Sequence, residues 1–205
     1  MFRDVKNRLT IISPYFVPGK EGTQFLIDLA QRGVVVDVVT NSLASTDVGV
    51  VHAGYIRYRK KLMKGGVKIH EVQAWPETPG SGASKNPGTG SSSASLHTKS
   101  FVFDRDRVFI GSLNLDPRSI HENSEIGLII DSETIAQGLM DWVEDYTATN
   151  TYELILTESW TGRHKISWIS PISQGGEEIH HEPDTGLFQR IGVNLMRYLP
   201  MESQL

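Results

Sequence analysis

The sequence predicts an α/β domain, with a mixed and largely parallel β-sheet flanked by helices on both faces. Three observations predict it. Strand-like and helix-like segments alternate as β-α-β-α-β through residues 9–72, the pattern of right-handed parallel crossovers. The stretch "VVVDVVTN" (34–41) is apolar on both parities, as a strand covered on both faces should be. The chain has 205 residues, 39% hydrophobic and 21% charged, which suits one good-sized domain with a substantial core and not a disordered chain.

The elements follow in order. Leu9–Ile12 is a short β-branched run closed by "SPYFVPG" (13–19), whose two prolines forbid its continuation. Phe25, Leu26 and Leu29, with Ile27 and Ala30 beside them, predict a helix over about 22–32 ended by Gly33. After the strand at 34–41 a helix over about 50–64 is stopped by Gly65-Gly66, and the strand "VKIHEV" (67–72) follows. Residues 76–95 are rich in Gly, Ser, Pro and Thr without period; they are read as a mobile loop, having no apolar surface to offset the entropy of ordering. Strands are expected at about 97–103, 107–112 and 125–131, and a helix over about 133–147 that buries Ile135, Leu139, Trp142, Val143 and Tyr146. Residues 1–150 are taken as the α/β domain. Residues 151–205, with strand-like segments near 152–157 and 164–169 and an amphipathic tail, are taken as an extension packed on it.

Composition excludes several classes. A net charge of −4 gives no general attraction to nucleic acid, so anion recognition has to come from a local site. The absence of cysteine removes disulfides and thiolate zinc sites. No apolar run reaches the ~18 residues of a spanning helix. The opening "MFRDVKNRLTIISPYF" lacks the apolar region of a signal peptide, and the expected compartment is the cytosol or the cytosolic surface of a membrane.

The chemistry concentrates in "LHTKSFVFDRDRVFIGSLN" (96–114). His97 and Lys99 stand two apart, so on a strand they share a face. Ser112 and Asn114 repeat that spacing after the next strand, and Asp104 and Asp106 bracket a tight turn, so a hairpin brings the two pairs to one rim of a sheet. An imidazole, a fixed cation, a hydroxyl and an amide are the parts needed to hold a phosphoryl oxyanion and exchange a group on phosphorus. Glu125 is a candidate to fix the imidazole tautomer by accepting its other N–H. Asp104 also has a structural option as a turn residue.

The pattern His97-x-Lys99-x4-Asp104-x6-Gly111-Ser112-x-Asn114 resembles the HKD signature of the phospholipase D superfamily. More narrowly, "SPYFVPG", "NSLASTDVGVVHAGYIRYRKKL" (41–62), "GSLNLDPRS" (111–119) and "NSEIGLIID" (123–131) are similar to the C-terminal half of bacterial cardiolipin synthases. The closing "HEPDTGLFQRIGVNLMRYLPMESQL" resembles the tail of their C branch. The resemblance implies a phospholipase D-type fold in which two similar halves each give one HKD motif to a shared site. One His then forms a phosphohistidine while the other protonates the departing alcohol. It further implies transfer of a phosphatidyl group to phosphatidylglycerol from phosphatidylglycerol or phosphatidylethanolamine, without metal or organic cofactor. On it His97, Lys99 and Asp104 carry catalysis, and Ser112, Asn114 and Glu125 bind or orient the substrate. The expected site is the cytoplasmic face of a bacterial inner membrane, with anionic phospholipid as partner and nucleic acid not expected.

The motif occurs once, where such a synthase has two. The chain is therefore read as a C-terminal half whose site is completed by the N-terminal HKD half of a parent protein, or by a second copy in a symmetric dimer. Two rival readings are a homodimeric phosphodiesterase or nuclease, and a module that binds phosphate or lipid without turnover. Other features stay open. Arg57, Arg59, Lys60, Lys61, Lys64 and Lys68 form either a solvated helix face or a headgroup site. His52 is either a satisfied helix histidine or a substrate-side group. "Ile-His-His-Glu" (179–182) has no third metal ligand at a fitting spacing. Leu187, Phe188, Ile191, Leu195, Met196 and Leu199, interrupted by Arg190 and Arg197, either pack on the parent domain or lie in a membrane interface.

Overall fold

The parallel centre comes from the alternation read above. In the computed structural model, which describes residues 2–74, 96–158 and 162–199, β1 (Arg8–Ile12), β2 (Val35–Asn41) and β3 (Lys68–Val72) run parallel. They are joined by α1 (Gly19–Gln31) and α2 (Gly49–Lys64). β4 (Ser100–Phe103) lies antiparallel to β1, and β5 (Arg107–Gly111) and β6 (Gly127–Asp131) extend that side as an antiparallel meander. The short α3 (Pro117–His121) sits between β5 and β6, and α4 (Glu133–Asn150) follows them. β7 (Thr151–Glu158) then pairs antiparallel with β3, and β8 (His164–Ile169) and β9 (Glu178–Ile179) continue the same sheet before α5 (Leu187–Met196). Among the described residues the strand order is β6-β5-β4-β1-β2-β3-β7-β8-β9. The stretch read as a mobile loop, 76–95, lies outside the described residues.

Both faces of the central strands β1–β4 are covered, the reason β2 reads as continuously apolar, whereas β6 at the edge is exposed. Leu26 and Leu29 of α1 and Tyr55 and Leu62 of α2 pack on Leu9, Ile11, Val36, Val38 and Ile69. The opposite parities, Ile12, Val39, Val102 and Val108, meet α4. Each such side chain contributes roughly 1.5–3 kcal/mol on burial. On α4 the buried stripe is Ala136, Met140 and Val143, not the full set read from the sequence. Ile135 and Trp142 stay half exposed, and Trp142 stacks on Tyr146 at 5.0 Å. The stripe is set by which face meets Val102 and Val108, and small Ala136 takes the close approach that a larger neighbour would block.

The β4–β5 hairpin closes through Asp104 and Arg105, both with positive φ (51° and 61°), the backbone that a twisted two-residue turn requires. Pairing of Ile12 with Ser100, Ser100 with Ile110, and Gly111 with Gly127 brings one rim together. There the C-terminal ends of β1, β2 and β5 meet the N-terminal ends of β4 and β6. Gly111 and Gly127 are required at that edge: a Cβ on Gly111 would fall on the Ile126 carbonyl and the Gly127 backbone, and one on Gly127 would fall on the Phe109 ring, which stacks on Phe101 at 5.2 Å.

Candidate active site at the sheet rim

His97 and Lys99 reach the rim from the segment leading into β4; the strand itself begins at Ser100, later than expected. The segment is fixed from two sides. Asn41, at the end of β2, accepts the Leu96 N–H (2.9 Å) and donates its side-chain amide to the Leu96 carbonyl (3.2 Å). Gly111 donates its N–H to the Lys99 carbonyl at 3.2 Å. Between these anchors His97 is exposed and Lys99 half-buried, with the Lys99 ammonium on the His97 carbonyl at 2.9 Å. Burial lowers the Lys99 pKa from its ordinary value, opposed by the carboxylates of Glu125, Asp47 and Asp116. An amine ringed in this way is held near three carboxylates, with no direct ion pair among the described residues.

Ser112 and Asn114 follow β5, and the two do different things. The Ser112 hydroxyl accepts the Ile126 N–H (3.0 Å) and donates to Glu125, so it is spent on orienting that carboxylate. Glu125 also accepts the Asn123 amide at 3.2 Å. The Ser112 hydrogen bond, with help from Asn123, Ser119 and Lys99, holds Glu125 below its ordinary pKa. The expected bond from His97 to Glu125 is not formed among the described residues; Ser112 takes that place. Asn114 is different: its side-chain carbonyl oxygen is buried and has no hydrogen-bond partner among the described residues. It lines a cavity of about 250 Å³ with Tyr15, Val48, Val51, Asp116, Arg118, Ser119 and Asn123.

Several wall residues were not singled out individually from the sequence. Tyr15 donates to both Asp47 oxygens (2.8 and 2.9 Å), and burial together with Asp47 pushes its hydroxyl pKa up to about 12. Asp116 caps α3 by accepting the Ser119 N–H at 2.8 Å, with Pro117 at the first helical position. The Ser13 hydroxyl accepts the Leu115 N–H (3.2 Å) and donates to the Tyr15 carbonyl (2.7 Å), tying the loop after β1 to the loop after β5. The only signal was indirect: these residues fall in the quoted "SPYFVPG", "LASTDVG" and "NLDPRS" stretches, with no spacing that joins them.

Asp104 lies elsewhere, at the far end of β4 from His97 and Lys99. Its carboxylate accepts the main-chain N–H groups of Lys6 (2.9 Å), Asn7 (2.7 Å) and Arg8 (2.9 Å), and its own N–H donates to the Arg8 carbonyl (2.8 Å). Among the described residues these bonds clamp the start of β1, in line with the structural option for Asp104, and no contact joins it to His97 or Lys99.

The basic run of α2 does not form one solvated face. Arg59 is buried, on Glu71 at 2.8 Å and on Glu182 at 2.6 Å, beneath Trp168. Lys60 caps the His164 carbonyl at 2.5 Å, Lys61 reaches Gln24, and Arg57 donates to the Leu199 carbonyl. His52 is buried beside this network, its Nε2 3.9 Å from Glu182, and burial pulls its pKa down to about 4. His52, Glu71 and Glu182 place ligand-type atoms within 4.8 Å of one another, but the Arg59 guanidinium lies against both carboxylates and takes the cation position. Of "Ile-His-His-Glu", Glu182 joins Arg59 while His180 turns to Ser167 at 3.2 Å.

Residues 1–146 match the family described as "Cardiolipin synthase, PLD-like domain". Among curated relatives, cardiolipin synthase C of Escherichia coli K12 is 41% identical over 196 residues, covering 95% of this chain and 40% of that protein. The chain thus spans well under half the length of that relative. Among solved structures, the phospholipase D family member Nuc of Salmonella typhimurium superposes with a TM-score of 0.56 at 16% identity, over 74% of this chain and 84% of Nuc. The phosphatidylserine synthase of Haemophilus influenzae gives 0.51 at 18% identity, over 70% of this chain and 32% of that one. These two likenesses are of fold. With the family match spanning β1–β6, their rim and the His97–Asn114 segment, the chain belongs to the phospholipase D-like domain family of cardiolipin synthases.

Proposed function

We propose that this chain is the second catalytic half of a cardiolipin-synthase-type phosphatidyltransferase. The observation that carries the reading is the rim itself: an exposed imidazole and a half-buried ammonium on one anchored segment, the ammonium within electrostatic reach of Asp116, which lines a cavity together with Asn114. The imidazole supplied by the other HKD half attacks the donor lipid's phosphorus, forming a P–N bond as the P–O bond to the headgroup alcohol breaks. His97 gives its proton to that leaving oxygen. In the return step His97 takes the proton of a phosphatidylglycerol hydroxyl, whose oxygen attacks phosphorus and releases the first imidazole. The Lys99 ammonium stabilises charge on the non-bridging oxygens throughout. The Asn114 amide donates to a phosphate oxygen, and its carbonyl is left for an alcohol O–H. Glu125, oriented by Ser112, balances the Lys99 charge.

A second copy could supply the other imidazole, and the single motif favours testing this. Cardiolipin formation from phosphatidylglycerol with phosphatidylethanolamine vesicles is measured for this chain alone and together with the upstream half of its reading frame. Product formed only with both halves is expected. Hydrolysis of a chromogenic phosphodiester or DNA by a dimer of this chain alone, with no lipid product from the pair, would overturn the proposal in favour of the phosphodiesterase.

A further inference from the structure

We propose that α5 is an interfacial helix that docks this domain on an anionic bilayer, with its apolar face turned outward from the fold. Helices on a soluble domain turn apolar residues inward. α5 does the reverse. Only Val193 is buried, against Leu43, Ala53 and Ile56. The opposite side carries Leu187 (61% exposed), Phe188 (88%), Ile191 (47%) and Leu195 (66%), continued beyond the helix by Tyr198 (74%) and Leu199 (47%). At helical spacing these form one continuous strip, larger than the scattered apolar residues normal on a surface.

The chemistry of the strip selects its occupant. A protein partner meets a rim of polar groups around an apolar centre. Here the polar side chains beside the strip, Gln189, Arg190, Asn194 and Arg197, are neutral or cationic, and no acidic residue occurs between Leu187 and Leu199, so the patch suits an anionic surface. Arg197, half-exposed, lies over the Tyr198 ring at 4.7 Å at the end of the strip, and half-exposed Arg190 adds a second cation on the side nearer Glu182. Aliphatic and aromatic side chains on one face, arginines at the shoulders and a tyrosine at the boundary are what lipid tails and anionic headgroups together recognise. The helix is also held in a fixed orientation. Gln189 donates to the Leu43 carbonyl (3.2 Å), two residues past the end of β2, and Arg57 of α2 holds the Leu199 carbonyl. β2 ends at the rim that carries His97 and Lys99. Docking through α5 therefore sets that rim beside the membrane surface. The inference stands without the transfer reading, because binding is measured apart from turnover.

The chain lacks cysteine, so Phe188→Cys offers a single attachment point for an environment-sensitive NBD fluorophore, and Glu133→Cys on α4 serves as control. Vesicles of equal parts phosphatidylglycerol and phosphatidylcholine are compared with phosphatidylcholine alone. A several-fold rise in emission at 188, none at 133, and loss of the response at high salt are expected. In co-sedimentation, Phe188→Ser with Leu195→Ser should weaken binding at least about tenfold, with the thermal midpoint unchanged because both side chains are exposed, and Arg197→Gln about fivefold. His97→Ala should bind like the wild type. The proposal is overturned if emission at 188 ignores anionic vesicles. It is equally overturned if the same rise follows self-association or addition of the upstream half without lipid, since a protein surface then covers the strip.

Discussion

Asp104 takes three main-chain N–H groups from residues 6–8, so removing its carboxylate leaves three donors competing for water at the start of β1. Asp104→Ala is expected to cost about 2 kcal/mol, a figure reduced because the group is partly solvated. Urea unfolding measures this, and transfer activity per folded molecule should be retained. Burial pushes the Asp104 pKa up, but the N–H groups of Arg8, Lys6 and Asn7 outweigh it and hold it below the ordinary 3.8. A depressed carboxylate stabilises above its unfolded pKa and loses that stability as pH falls through the lower folded value. The gap between wild type and Asp104→Asn should therefore close below about pH 4. His52 has the opposite chemistry and the same direction. Burial lowers its pKa from 6.5 to about 4, so the unfolded chain takes up the proton first as pH falls. Its stabilisation is complete above ~6.5 and declines by about 2 kcal/mol by pH 5. His52→Leu should flatten that part of the pH–stability curve read from urea midpoints. That His97 and Lys99 stand together was legible from sequence because their spacing is local. The role of Asp104 was not, because its partners lie more than ninety positions away.

At the scale of elements, α2 shows why a charge run is ambiguous. Arg59 sits among six basic positions, yet its helical face is the one that meets β3 and the 180–185 segment, so it is buried on Glu71 and Glu182. The guanidinium bridges a central strand to the segment that precedes α5. Arg59→Met would leave two buried carboxylates without their counter-charge, a loss of roughly 3–5 kcal/mol. Denaturant unfolding should show this, and Glu71→Gln with Arg59→Met should recover part of it. Burial already pushes the Glu71 pKa up, so its neutral replacement is tolerated. Recovery of nothing would mean that the network does not act as a charge pair. β4 begins at Ser100, later than the expected 97, for a related reason. The residues just before it alternate like a strand, but Asn41 and Gly111 fix their main chain outside a continuous ladder, leaving His97 at the rim.

At the scale of the molecule, the sequence alternation made the parallel centre and the covering of both faces legible. It could not show that β7–β9 would join at the β3 edge while β4–β6 extend the β1 edge, since strand order depends on contacts between distant segments. That order leaves the β1, β2, β4, β5 and β6 ends at one rim, and the central claim is that His97 on this rim handles a lipid phosphorus centre. The most direct measurement is cardiolipin formation from defined vesicles by this chain assembled with its upstream half, comparing wild type, His97→Ala and Asp104→Ala at matched folded concentration. The account predicts a fall of at least about a thousandfold for His97→Ala and near wild-type turnover for Asp104→Ala. A His97→Ala protein that makes cardiolipin at the wild-type rate would contradict it.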